Sequence, residues 1–111
     1  MNTSFKGFGE NAVTFEADTT LTTAGVPVKI TADGKVAPCA NGDKICGVAL
    51  SVRDGFACVQ LKGYTELPLD GEVTLGFVSI AAKTGGKVSV NAAGREVLVL
   101  SAGNGTVGFI L

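Results

Sequence analysis

Sixteen glycines punctuate this 111-residue chain, recurring about every 8 to 12 positions between segments rich in Val, Thr, Ile, Leu and Phe, the spacing of short antiparallel strands joined by tight turns. A helix needs an uninterrupted apolar period of 3.6 residues over three turns or so. The main glycine-free candidate, "TFEADTTLTTA" from Thr14 to Ala24, is dominated by threonine, whose branched side chain is stiff at χ1 and a poor helix former. The expectation is little or no helix.

Two Asp-Gly pairs mark hairpins. If Asp54-Gly55 is a two-residue type I′ loop, Arg53 faces Phe56 and the pairing continues as Val52 with Ala57, Leu50 with Val59 and Val48 with Leu61. These apolar pairs share one face. Ser51 with Cys58, Ala49 with Gln60 and Gly47 with Lys62 take the other, so the register sorts both strands at once. Around Asp33-Gly34 the same arithmetic pairs Ala32 with Lys35, Ile30 with Ala37 and Val28 with Cys39, leaving Lys29 and Pro38 outside. Pro38 has no N–H to donate, which predicts an edge strand or a strand end there.

Further strands are predicted at Gly76 to Ala81, Lys87 to Val90, Glu96 to Ser101 and Thr106 to Leu111, where Val107, Phe109 and Leu111 share a face. Closing on apolar residues predicts a final strand locked into the sheet, so that a short truncation there harms folding. Short strands with one apolar face each need closure or a second sheet. The predicted fold is all-β: a small single-domain barrel or sandwich of short antiparallel strands spanning 10–111, preceded by an extended N-terminal arm over residues 1–9, "MNTSFKGFG".

Composition narrows function mainly by exclusion. A chain of this length buries roughly 65% of its unfolded surface around one core. Nine basic and ten acidic residues alternate without forming a stripe, unlike the basic footprint of a nucleic-acid binder. No apolar run reaches the length of a membrane span, and the amino terminus lacks the features of a secretion signal, so synthesis in the cytoplasm is expected. Histidine is absent, which removes Ser-His and Cys-His nucleophile pairs and the commonest ligand for zinc or iron. Neither a cofactor nor a metal is expected.

The three cysteines, Cys39, Cys46 and Cys58, fit neither a disulfide framework nor a CxxC pair. The hairpin register sets Cys46 and Cys58 on opposite faces, where they cannot be bridged. Small buried hydrophobes are the simplest account of them, with Cys58, beside Lys62 and Arg53, as the one candidate reactive thiol. The glycine runs "GFGEN" and "TGGK" lack phosphate-loop spacing and read as turns. Glu66, Asp70 and Glu72 flank "LPLDGE", where carboxylates are normally solvated. Phe5, Lys6 and Phe8 in the arm are the candidate partner contacts, since aromatics outside a sheet can anchor in a partner's pocket.

Three segments, "TTAGVPVKITADGKV", "GDKICGVALSV" and "VQLKGYTELPL", resemble in order and spacing the capsid decoration or cement proteins of tailed phages and prophages. The matching positions are Gly25, Pro27 and Val28, then Gly47, Val48 and Ala49, then Gly63, Tyr64, Leu67 and Pro68. The resemblance covers about residues 20 to 70. It implies a non-enzymatic virion protein that binds the major capsid protein on the outside of an assembled head, often as a homotrimer, with Tyr64 joining the arm residues as a candidate contact. The alternative is another phage structural or binding module, either a tail or baseplate component or a small ligand-binding barrel. A saccharide site would call for stacking aromatics, and the chain has no Trp and one Tyr.

Overall fold

A computed structural model describes residues 11–111, and among the described residues there are ten strands and no helix. The arm assigned to residues 1–9, with Phe5, Lys6 and Phe8, lies outside the described residues. The strands are β1 (Asn11–Ala17), β2 (Pro27–Ala32), β3 (Lys35–Pro38), β4 (Gly47–Arg53), β5 (Phe56–Lys62), β6 (Tyr64–Pro68), β7 (Gly76–Lys83), β8 (Lys87–Val90), β9 (Arg95–Gly103) and β10 (Thr106–Ile110). The first five close into a barrel in the order β1-β3-β2-β4-β5, and the last five form a second sheet, β6-β10-β9-β7-β8. Both alternatives of the sequence reading, barrel and packed second sheet, therefore occur in one molecule. The radius of gyration, 13.2 Å, is that of a single folded unit of this length.

Each sheet encloses its own apolar cluster. The barrel holds Leu21, Val28, Val36, Ala49, Ala57 and Val59. The second sheet curls around Leu67, Ile80, Ala82, Val88, Val97, Val99, Val107 and Phe109, and Ile45 and Val48 enter that core from the barrel side. Its edge strands almost meet: Leu69 bridges Val88, and the Asp70 N–H donates to the Val88 carbonyl at 2.8 Å. Val107 and Phe109 are fully buried, and the Leu111 N–H donates to the Gly63 carbonyl at 3.1 Å, so the carboxy terminus is locked into the sheet as expected.

Asp54 and Gly55 both lie at positive φ, 52° and 80°, the signature of a type I′ turn. Arg53, Val52 and Ser51 pair with Phe56, Ala57 and Cys58 as predicted. Beyond Ser51 the register departs from the simple ladder. Leu50 bulges, so Ala49 pairs with Val59 and Val48 with Gln60. Ala49 then enters the barrel core, Val48 turns to the second sheet, and Leu50, expected inside, is 42% exposed. The β2–β3 hairpin is corrected in the same way: Thr31 bulges, Ile30 pairs with Val36, and Val28 with Pro38. Further bulges occur at Leu61 on β5 and Leu100 on β9. A bulge adds twist and bends its strand, and a five-stranded barrel needs such bending to close. Pro38 does end its strand, but β3 lies between β1 and β2 instead of at an edge. Strand β1 was not foreseen.

The two sheets are joined where β5 passes into β6. The Gln60 side chain, 2% exposed, donates from Nε2 to the Lys62 carbonyl at 3.1 Å and the Tyr64 carbonyl at 2.9 Å. Gln60 thus clamps the bend around Gly63 with a buried amide. On the neighbouring strand, Gly47 lies so close that a Cβ there would run into the Gln60 carbonyl. We expect Gly47→Ala to destabilise the protein by about 1 to 3 kcal/mol, the usual cost of overpacking. Gly103→Ala, whose added Cβ meets nothing within 4 Å, should stay within about 0.5 kcal/mol of wild type. Urea unfolding of the two variants checks the contrast.

Candidate interaction face

The second sheet has an outer face away from its core, and register decides which residues meet there. Phe77 pairs with Leu98, Leu98 with Ile110, and Ile110 with Tyr64. Four strands therefore contribute one side chain each to a continuous cross-strand row, β7 to β9 to β10 to β6. None of the four belongs to either buried cluster. Phe77 is 74% exposed, Leu98 and Ile110 are half-buried, and Tyr64 is 8% exposed. The row rises from a buried phenol ring at one end to a projecting phenyl ring at the other.

Tyr64 is held down by its neighbours along the sheet. Its hydroxyl donates to Glu66 Oε2 at 2.8 Å and lies 3.3 Å from Ser101 Oγ. Between them is Gly108, the partner of both Glu66 and Ser101. A Cβ on Gly108 would collide with the Tyr64 hydroxyl, so the glycine leaves the hollow into which the ring folds, a tyrosine covering the gap in a sheet that glycine creates. Burial pushes the Tyr64 phenol above its ordinary value of 10.0, Glu66 adds to the rise, and the Ser101 hydrogen bond opposes it. A shallow polar depression lined by Glu66, Ser101, Asn104, Thr106 and Gly108 opens beside it. The ring itself offers no open stacking surface there.

The other sequence candidates are dispersed. Glu66 serves Tyr64, Asp70 lies 3.9 Å from Lys83 on the surface, and Glu72 lines a separate depression with Leu69 and Val73. Among the described residues no three His, Cys, Asp or Glu side chains gather as a metal site. All three cysteines are free thiols. Cys46 packs against the barrel core and Cys39 against the second core. Burial pushes the Cys39 thiol up to about 12, with Asp43 and Cys46 adding to the rise and Lys29 opposing it. Burial also raises Cys46, against the pull of Arg95, whose Nη1 donates to the Cys46 carbonyl at 2.9 Å. Cys58, on β5, is half-buried. Lys29 and Asp43 pair at 2.7 Å and hold the connection between β3 and β4, where Asp43 also accepts the Ala40 N–H at 2.8 Å.

Sequence reasoning singled out Tyr64 but missed Phe77, Leu98 and Ile110, whose alignment depends on which strands are neighbours. No protein-family model matches the chain, and no curated protein matches it. No helix among the described residues is long and apolar enough to cross a membrane.

Two outcomes follow from the ionisable groups. Because the folded Tyr64 holds its proton to higher pH than the unfolded chain, its contribution is complete below 10.0 and is lost as pH rises through the raised value. Wild type should therefore lose stability over that interval relative to Tyr64→Phe, read as the difference in urea midpoints against pH. Cys39 and Cys46, held as thiols by burial, should react with a thiol reagent at neutral pH well below the rate of a model thiol. Peptide mapping after labelling under native conditions checks this, and shows whether Cys58 exceeds that rate.

Proposed function

We propose that this chain is a non-catalytic structural protein that binds the outside of an assembled phage or prophage head as a capsid decoration protein. The observation that supports a binding role is the outward row of Phe77, Leu98 and Ile110 over the wedged Tyr64. An apolar row on a rigid sheet, ending in an aromatic 74% exposed, suits a protein–protein interface, where a few aromatic anchors carry most of the binding energy. The resemblance to decoration proteins supplies the partner class. Its three segments fall on the β2–β3 hairpin, on β4 with the turn before it, and on the β5–β6 junction, the last of which contributes Tyr64 to the face.

The mechanism is mass action. A protein that binds the expanded shell and not its dissociated subunits stabilises the shell by the binding free energy at every occupied site. The partner is the major capsid protein, and the active form is a homotrimer whose subunits clamp neighbouring capsid subunits, with Phe5, Lys6 and Phe8 contributing from the arm. Low charge, 17% of residues, suits a surface partly covered in such an assembly.

The test is co-sedimentation with expanded, undecorated heads. Wild type should pellet with the heads, and Phe77→Asp should weaken binding by at least about 30-fold, the effect of losing an anchor worth 2 kcal/mol or more. Native mass in solution should be three times the 11.2 kDa of the chain. Wild-type protein that stays in the supernatant overturns the proposal.

A further inference from the structure

On the barrel wall β5 runs between β1 and β4, and register sets three side chains in a row across it. Phe56 pairs with Glu16 on one side and with Arg53 on the other. Successive side chains of a strand point to opposite faces, and Ala57 is fully buried in the barrel cluster, so Phe56 points outward. It is 56% exposed, and Glu16 and Arg53 beside it are exposed as well. The row reads carboxylate, phenyl ring, guanidinium, with each charged strand about 4.8 Å from β5.

Neither charge of the row is used within the fold. The ion pairs among the described residues join Lys29 to Asp43 and Lys83 to Asp70. Lys35 on β3 is the register partner of Glu16, yet the two form no ion pair, and a five-stranded ring curves so tightly that β3 faces away from anything laid against β5. The next row of the same face, Thr14, Cys58 and Ser51, consists of short side chains that let a neighbour approach. Glutamate and arginine are long enough to reach across the gap that the curved wall opens on either side of the ring.

An exposed ring between two opposite charges is complementary to itself. When two copies face each other across the row, a two-fold axis along the strands sets Phe56 on Phe56 and the Glu16 of each copy opposite the Arg53 of the other. This is an isologous contact, made by the same patch on both sides. A two-fold axis along the row instead sets Glu16 on Glu16 and Arg53 on Arg53, which like-charge repulsion opposes. Charge therefore selects the first arrangement.

We propose that the row of Glu16, Phe56 and Arg53 is a self-association surface, which a second copy of this chain covers about a two-fold axis parallel to β5. Phe56 stacks offset on the partner's Phe56, between two ion pairs of Glu16 with Arg53. A contact limited to about three strands falls below the area of a standard stable interface, so the association is weak, with a Kd on the order of 0.1 mM. It adds to whatever assembly the chain forms through other surfaces. The head-binding reading is not used: its face lies on the second sheet, and the test below contains no heads.

The test follows weight-average mass against protein concentration by sedimentation equilibrium, for wild type and for the charge reversals Glu16→Arg and Arg53→Glu. Wild type should gain mass as its concentration passes about 0.1 mM. Either reversal alone puts like charges at both contacts and should weaken self-association at least about 10-fold. Mixed in equal amounts, the two variants should associate with each other as wild type does, since every contact again sets a carboxylate against a guanidinium. A folding defect in either variant cannot produce that recovery. A wild-type mass that does not change with concentration overturns the proposal, as does a single reversal that associates as strongly as wild type. A mixture that associates no better than the separate variants overturns it too.

Discussion

The molecule depends on one buried amide. Gln60 sits at the end of the barrel with almost no exposure, and both of its bonds run to carbonyls on either side of the bend that starts the second sheet. A strand leaving a closed barrel must turn its carbonyls away from their ladder, and a buried carbonyl without a donor costs about 1 to 3 kcal/mol. The side chain satisfies the buried Tyr64 carbonyl and ties it across the turn to the Lys62 carbonyl on the other side of Gly63. Packing then fixes the geometry, because Gly47 lets β4 approach the Gln60 backbone more closely than any side chain permits. With the junction fixed, β6 has one direction, and β10, β9, β7 and β8 follow from it by pairing. Ile45 and Val48, immediately before and within β4, complete the second core from the barrel side. The two cores are therefore interdependent.

Local chemistry made the strands legible. Asp54-Gly55 forms the turn that its type demands, and Lys87–Val90 is a strand with the limits read from its flanking glycines and asparagine. Strand β1 carries an alternation in Val13, Phe15 and Ala17, with Thr14 and Glu16 between, but most of its residues are exposed and it runs into the threonine-rich stretch after it, which hid it as a strand. It is a strand because β5 and β3 supply its partners, a tertiary cause that propensity does not carry. The bulges were illegible for a related reason. At Leu50 the unbroken alternation favours a straight ladder, while barrel closure needs an extra residue, and closure prevails at the expense of exposing a leucine.

The face was legible only in part. Tyr64 stood out because it is unique, but its role rests on Ser101, 37 residues away, and on Gly108, which reads in sequence as one more turn glycine. Phe77, Leu98 and Ile110 each look like core residues in a one-dimensional pattern. A strand with apolar residues at successive positions, such as "VLVL" at 97–100, gives no sign of which are inward. In the structure Val97 and Val99 are buried and Leu98 is not. Only neighbouring strands show that the outward ones align.

That alignment also makes the second sheet better suited than the barrel to the partner proposed above. A closed barrel uses up its backbone hydrogen bonds around the ring, and its exposed apolar residues do not pair with one another: Val13 faces Val59, Ile30 faces Val36, Phe56 faces Glu16 and Arg53, and Leu50 bulges out of register. The sheet instead offers a row supported from beneath by the second core and by a tyrosine wedged over glycine. Rigidity of this kind lowers the ordering cost of association, so that the area covered contributes more fully to affinity. The same residues that stabilise the fold at Tyr64 and Gly108 therefore also prepare its surface. Substitutions there are expected to change stability and binding together, whereas Phe77, which projects without supporting the core, can separate the two.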